Sequence, residues 1–240
     1  MEQPKSRVLV IIPAYNEEQT IGGVIADVKK EMPSAHILVV NDGSTDATAR
    51  IVREFAGGGG VGLISHAYNL GIGATMQTGF RYALKKGYGI AVQVDADGQH
   101  PAGEIKKLVK PVEEKRADVA VGSRFLGLGE YRPSFSRGIA IGIFSSVVSL
   151  VLRKRFTDPT SGFRAAGGGA VRFLSGRYPD DYPEAEALVL LSRKGFAIME
   201  VPVRMAGRKG GRSSITAGKG IYYMIKVLLA IFVDLLKKAD

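Results

Sequence analysis

Four aliphatic runs in the first half of the chain each stop abruptly at a cluster of polar residues, and this alternation leaves few architectures open. Val8–Ile12 gives way to Pro13-Ala14-Tyr15-Asn16-Glu17-Glu18, and His36–Val40 to Asn41-Asp42-Gly43-Ser44-Thr45-Asp46. Ile90–Val94 gives way to Asp95-Ala96-Asp97-Gly98-Gln99-His100, and Val119–Val121 to Gly122-Ser123-Arg124-Phe125. An unbroken aliphatic run suits a strand buried on both faces, as parallel sheets require. Between the runs lie segments with helical spacing, such as Ile21, Val24, Ile25 and Val28, and a further short strand is expected at Val61–Ser65. Strands alternating with helices through short turns predict an α/β fold with a mostly parallel sheet. Ligand chemistry then belongs at the carboxyl ends of the strands, where the polar clusters fall.

One cluster has the most specific chemistry. Asp95 and Asp97, one residue apart at a strand end, are expected on the same side of the chain. Two carboxylates held that close repel each other unless a cation lies between them. Oxygen donors of this kind suit Mg2+ or Mn2+ shared with a substrate phosphate. Seen alone, the same peptide also fits a helix N-cap or an Asp- and Gly-rich turn. Its position in a series of strand-end clusters favours the functional reading.

Charge narrows the partners. Thirty-three Lys and Arg against 23 Asp and Glu give a formal net charge of +10, which points to anions: nucleotide diphosphates, anionic lipid or nucleic acid. No nucleic-acid-reading motif is visible, so nucleic acid is not expected. Without cysteine there is no disulfide framework and no thiolate metal site. Met1–Arg7 is polar and lacks the apolar centre of a signal peptide, so a cytoplasmic location is expected. No segment reaches the roughly 20 apolar residues of a membrane span. Ile139–Leu152 and Ile221–Leu236 come near it and are long enough to lie on a bilayer, at its inner face.

The second half is less regular. Gly127–Arg137 is a loop bearing glycine and arginine, followed by the apolar helix Ile139–Leu152 and the basic Arg153–Arg155. Thr157-Asp158-Pro159-Thr160-Ser161-Gly162-Phe163-Arg164 is a polar turn too long for a simple connection. A short helix near Ala170–Leu174, a helix opened by Asp180–Glu186 and a last strand at Phe196–Val203 follow. His36 and His66 are expected at strand ends without partners. His100, next to the metal motif, is read either as a ligand or as a structural residue. Gly218–Lys238 reads as one helix with Lys219, Lys226 and Lys237 on one stripe and an apolar arc wider than one core face needs. The surplus calls for a second surface: a partner subunit, the helix Ile139–Leu152 or a membrane interface.

Taken together these motifs are similar to glycosyltransferase family 2, the inverting nucleotide-sugar enzymes of the GT-A (Rossmann-like) fold. The resemblance rests on Pro13-Ala14-Tyr15-Asn16-Glu17, Asn41-Asp42-Gly43-Ser44 and Asp95-Ala96-Asp97-Gly98-Gln99 and covers about Arg7 to Ser214. Within that family, Val121–Phe125, Ser136-Arg137-Gly138, Asp158–Arg164 and Glu200–Val203 resemble the polyprenyl-phosphate sugar transferases. The resemblance implies a mixed, mostly parallel sheet flanked by helices in residues 1–215, with residues 216–240 as a C-terminal amphipathic helix making a membrane-surface or oligomer contact. It implies that Pro13, Ala14, Tyr15, Glu17, Asp42 and Asp95 bind the nucleotide, and that Asp95, Asp97 and Gln99 meet the metal. Arg124, Arg137, Arg208 and Arg212, with Ser136, would hold phosphate groups of donor or acceptor. Asp97 and Arg124 would serve catalysis. Arginine suits such work because its planar fork matches phosphate oxygens and its charge does not titrate away.

The acceptor is where the sequence departs from the lipid-phosphate pattern. A phosphate acceptor is ionised at neutral pH, whereas a sugar hydroxyl needs a carboxylate to take its proton. Glu184 and Glu186 stand where many family members place that carboxylate, although acids also favour a helix N-terminus for its dipole. At Gly211-Arg212-Ser213-Ser214 the lipid-phosphate enzymes usually carry a lysine after the first serine. The expectation is therefore an inverting, Mg2+- or Mn2+-dependent transferase moving a sugar from a UDP- or GDP-sugar to polyprenyl phosphate. A saccharide hydroxyl in cell-surface polysaccharide synthesis, with Glu184 or Glu186 as base, is the alternative acceptor. A non-catalytic nucleotide-sugar-binding membrane partner is the alternative of another class. A nucleotidyltransferase would carry a glycine-rich, basic loop where Pro13–Glu18 stands.

Overall fold

The computed structural model describes residues 7–127, 135–180 and 183–207, together with Lys226, Leu228, Leu229 and Ile231. The strands are β1 (Val8–Ala14), β2 (His36–Asn41), β3 (Val61–Ser65), β4 (Ile90–Gln93), β5 (Val119–Ser123), β6 (Arg164–Gly167) and β7 (Ile198–Pro202). The helices are α1 (Ile21–Glu31), α2 (Thr48–Ala56), α3 (Ile72–Lys86), α4 (Ile105–Glu113), α5 (Phe135–Leu152), α6 (Gly168–Gly176) and α7 (Pro183–Arg193). The strands form one seven-stranded sheet in the order β3-β2-β1-β4-β6-β5-β7. Every pairing is parallel except those of β6, which runs antiparallel to both β4 and β5.

Alternation along β1 explains the layers. Val8, Val10 and Ile12 face a core shared with α1, Val52 of α2 and α4, while Leu9 and Ile11 face the core under α3, α5, α6 and α7. Every residue of β1 is buried, as the unbroken aliphatic run requires. Because β2 and β3 extend from one side of β1 and β4 lies on the other, strand order reverses between β1 and β4. A crevice opens there at the carboxyl ends, where doubly wound sheets place ligands.

The expected strand Phe196–Val203 is present but shorter, and α5 begins at Phe135, four residues before the expected start. Two corrections concern histidine. His36 Nδ1 lies 2.7 Å from the Tyr88 hydroxyl, and His66 is bonded on both ring nitrogens, so neither lacks a partner. Within the expected C-terminal helix the described residues are helical. Ile231 is buried in the core cluster that includes Phe144 and Val148 of α5, and Leu228 packs against that cluster. At these two positions the second surface is therefore this core of the same chain. Leu229 nevertheless stays 60% exposed, and on α5 Ile139 and Leu150 are 50% and 80% exposed.

Candidate active site

The turns after β1 and β2 interlock. Asn16, in the left-handed region at φ 54°, donates its N–H to Ser44 Oγ at 2.9 Å and accepts from Thr45 N at 2.9 Å. Glu17 N donates to Thr48 Oγ1 at 2.8 Å, and Glu18 N to Asp46 Oδ2 at 3.1 Å. Burial pushes the Asp46 carboxyl up, but bonds from Thr48 and from backbone N–H groups outweigh it and hold the carboxyl below its ordinary value. Pro13 and Ala14 are buried at the end of β1, and Tyr15 stands 48% exposed at the mouth of the crevice.

Asp42 is a clamp. It is 4% exposed, and its carboxylate accepts from Leu70 N at 2.9 Å and Gly71 N at 2.8 Å, with His66 Nδ1 at 2.8 Å. A neutral ring that donates from Nδ1 accepts at Nε2 from the Thr78 hydroxyl, 3.0 Å away. The loop after β3 is thereby fastened to the end of β2. Gly43 fits the junction only as glycine: its φ is +70°, and an added Cβ would lie 2.5 Å from the Tyr68 carbonyl carbon.

Strand β4 ends at Gln93, so Asp95 and Asp97 lie in the turn beyond it rather than on the strand itself. Asp97 is buried and accepts from Gln99 N at 2.9 Å, while the Asp95 side chain is 36% exposed. Asp95 Oδ1 accepts from Gln93 Nε2 at 3.2 Å. His100 Nδ1 accepts from Asp95 N at 3.0 Å, which puts the proton of a neutral ring on Nε2, 3.6 Å from Asp95 Oδ2. His100 lies flat on Phe163, with centroids 4.6 Å apart, and is 7% exposed. These contacts make it a support for Asp95.

The antiparallel β6 brings the second half of the chain here. Its first residue, Arg164, pairs with Gln93 on one side and Val121 on the other. The loop 157–163 that precedes it therefore lies against the ends of β4 and β5. Arg124 meets this loop: its Nε and a terminal nitrogen donate to Asp158 at 2.7 and 2.6 Å, and its N–H donates to Asp158 at 3.1 Å. Arg124 thus braces the loop, a role its reading as a phosphate ligand did not include. Arg164 donates to Ser161 O at 2.7 Å and Pro159 O at 3.0 Å, bracing the other end.

Glu184, in the first turn of α7, feels Arg164, Asp95 and Arg124 electrostatically. Burial pushes its carboxyl above the ordinary carboxylate range, the Arg164 guanidinium opposes this, and Asp95 adds to it. Tyr178 shares the pocket; burial raises its hydroxyl, Arg164 counters, and Glu184 and Asp95 reinforce the rise. Glu186 sits two residues on, about 200° around the helix, so the two carboxylates do not share a face. Glu184 is coupled electrostatically to Asp95. Ser136 and Arg137 lie in the first turn of α5, their side chains outside the described residues, as are Arg208 and Arg212.

Asp95, Asp97 and Gln99 supply hard oxygen donors that fit Mg2+ or Mn2+. Among the described residues no group of three or more His, Cys, Asp and Glu side chains converges on a metal. Hard donors of this kind suit an ion that takes its remaining ligands from substrate phosphate and water. Sequence reasoning assigned no role to Asp158, Arg164, Tyr178 or Glu200. The polar turn that holds Asp158 and Arg164 was visible as an overlong connection, whereas nothing in the sequence singled out Tyr178.

A family model described as glycosyl transferase family 2 matches residues 9–174. The chain belongs to that family. It is a glycosyltransferase, which removes the non-catalytic partner and the nucleotidyltransferase as readings. Among its relatives is the polyprenol monophosphomannose synthase of Mycolicibacterium smegmatis, 31% identical over 231 residues, or 94% of this chain and 87% of that protein. Another is the UDP-N-acetylglucosamine–dolichyl-phosphate N-acetylglucosaminyltransferase of Methanococcus voltae, 31% identical over 214 residues, or 82% of this chain and 84% of that one. Among solved structures, glucosyl-3-phosphoglycerate synthase from Mycobacterium tuberculosis, in complex with Mn2+, uridine diphosphate and phosphoglyceric acid, superposes with a TM-score of 0.70. It is 21% identical, covering 93% of this chain and 78% of that one. This family 2 chain therefore has the GT-A architecture, with β6 inserted in the middle of an otherwise parallel sheet.

Proposed function

We propose that the chain transfers a sugar, with inversion, from a UDP- or GDP-sugar to the phosphate of a polyprenyl phosphate. The observation that carries the donor half is the position of Asp95 and Asp97 at the strand-order reversal, beside the exposed Tyr15 and the Asp42 clamp. Support for the acceptor half comes from the lipid-phosphate acceptors named in two relatives and from the basic character of the chain. A divalent cation held by Asp95, Asp97 and Gln99 supplies charge neutralisation for the departing diphosphate.

The residues divide the remaining work. Tyr15 offers a ring for the base, and the fastened loop at Leu70 and Gly71 walls the nucleotide side. Gln93 and His100 hold Asp95 in place. Ser136, Arg137, Arg208 and Arg212 bind phosphate of donor or acceptor. Residues 1–215 form the catalytic domain, and residues 216–240 the part that meets a membrane surface.

A second reading rests on Glu184. Its carboxyl, pushed up by burial and coupled electrostatically to Asp95, suits a general base for a saccharide hydroxyl. Donor hydrolysis and transfer assayed with UDP- and GDP-sugars, Mn2+ and short polyprenyl phosphates or saccharides test both. Asp97→Ala is expected to abolish turnover in the best condition; unchanged turnover would refute the site.

A further inference from the structure

Glu200 lies in the edge strand β7, opposite Val121 of β5. Carboxylates on a sheet edge are ordinarily solvated, but this one accepts three hydrogen bonds from two consecutive residues. Thr157 N donates at 2.8 Å, Thr157 Oγ1 at 2.9 Å and Asp158 N at 2.7 Å. With its proton committed to Glu200, Thr157 Oγ1 accepts from Ser123 Oγ at 2.7 Å, and Ser123 Oγ accepts from Phe125 N at 3.2 Å. Glu200 thus ties the start of the loop 157–163 to the end of β5, at the point where Asp158 grips Arg124.

The other end of that loop touches the metal motif. A Cβ added to Gly162 would lie 2.8 Å from Gln93 Nε2 and 3.5 and 3.6 Å from the two Asp95 carboxylate oxygens. The absence of a side chain at Gly162 therefore leaves the room that the Gln93 amide occupies, and the loop passes next to the Asp95 carboxylate. Among the described residues the carboxylate is otherwise held only from one side, by the Gln93 amide at 3.2 Å and by His100 Nε2 at 3.6 Å, and its side chain is 36% exposed. A shift of the loop would press on the Gln93 amide and, through it, on the carboxylate.

We propose that Glu200 is a positioning residue which, by ordering Thr157 and Asp158, fixes the loop against Gln93 and Asp95 and so sets the aim of Asp95 at a divalent cation. The inference rests on Asp95 being a metal ligand. Groups that orient a ligand typically change metal affinity by 10–100-fold when altered, although Glu200 acts at one further remove.

Mn2+ binding to the full chain, followed by the electron paramagnetic resonance of free Mn2+ in the presence of UDP or GDP, tests this without catalysis. Glu200→Gln keeps the shape but turns an amide NH2 toward N–H donors. It is expected to weaken Mn2+ binding about tenfold, with Thr157→Val, which deletes one of the three bonds to Glu200 and the bond to Ser123, weakening it less. A folded Glu200→Gln protein that binds Mn2+ like the wild type overturns the proposal, even if its melting temperature falls, because a purely structural role predicts that result. Should Glu200→Gln not fold, Thr157→Val decides: weaker Mn2+ binding supports the proposal and unchanged binding overturns it. Wild-type protein that binds no Mn2+ with either nucleotide overturns the metal reading itself, and this inference with it.

Discussion

Arg124 and Asp158 form a buried, two-point ion pair, with Nε to Oδ2 at 2.7 Å and a terminal nitrogen to Oδ1 at 2.6 Å. The side chains are 8% and 0% exposed. Breaking such a pair from one side leaves a charge buried without its partner, which costs about 3–5 kcal/mol. Asp158→Ala is expected to lower the urea unfolding free energy by that amount. Arg124→Met, Asp158→Leu, which removes both charges, should recover much of it. A loss of under about 1 kcal/mol for Asp158→Ala, as exposed pairs give, would show that the pair is not buried in solution.

The Asp42 clamp predicts an effect on donor binding. Asp42→Ala removes the acceptor for Leu70 N, Gly71 N and His66 at once. Each bond to a charged group contributes about 1.5–3 kcal/mol, part of it regained as the freed N–H groups meet water. The loop after β3 loosens at the nucleotide side. Donor KM is expected to rise about tenfold or more, while the KM for acceptor changes little. Equal changes in both constants would place Asp42 outside the donor pocket. Gly43→Ala should act in the same direction, because it forces a side chain into the Tyr68 backbone.

Glu184 distinguishes the two acceptors. If it is the base for a hydroxyl, Glu184→Gln should lower kcat by about 10²–10⁴; with a phosphate acceptor the loss should stay within a few-fold. The pH behaviour follows from the upward shift that burial causes. A base works deprotonated, so under the hydroxyl reading activity climbs with pH through this raised pKa, and the acid limb lies above that of an ordinary carboxylate. Stability moves the other way. Between the unfolded pKa and the raised folded one the native state holds more protons, so this group's contribution falls as pH rises. Glu184→Gln should flatten that decline in thermal unfolding between pH 4.5 and neutrality; an unchanged slope would contradict a buried carboxyl.

How much of this was legible beforehand differs by region, for physical reasons. The strands β1, β2, β4 and β5 were readable because a strand buried on both faces must be continuously apolar, and Val8–Ile12 could be little else. The turn at Asp95 was legible because two carboxylates at a strand end have few stable explanations. Strand β6 was not read, since Arg164-Ala165-Ala166-Gly167 lacks β-branched residues and owes its strand form to pairing with β4 and β5. Missing it hid the route by which loop 157–163 reaches Asp95. His66 was misread for a related cause: its partner Asp42 is 24 residues away, and local sequence does not reveal such pairing.

The exposed apolar side chains of α5 and the C-terminal segment bear on where the acceptor is met. No helix among the described residues is long and apolar enough to cross a membrane. Ile139, Leu150 and Leu229 are 50%, 80% and 60% exposed, and the basic, exposed Arg153, Lys154 and Arg155 directly follow α5. Fully burying one leucine contributes about 1.5–3 kcal/mol, and basic residues near an anionic surface add about 1 kcal/mol each. Leu150→Glu with Leu229→Glu should therefore reduce flotation with phosphatidylglycerol vesicles about tenfold or more. Thermal stability should be nearly unchanged, because neither side chain is in the core. Undiminished flotation would remove this face as the membrane contact. A wild-type dimer that the double substitution converts to monomer would reassign the face to a second copy of the chain.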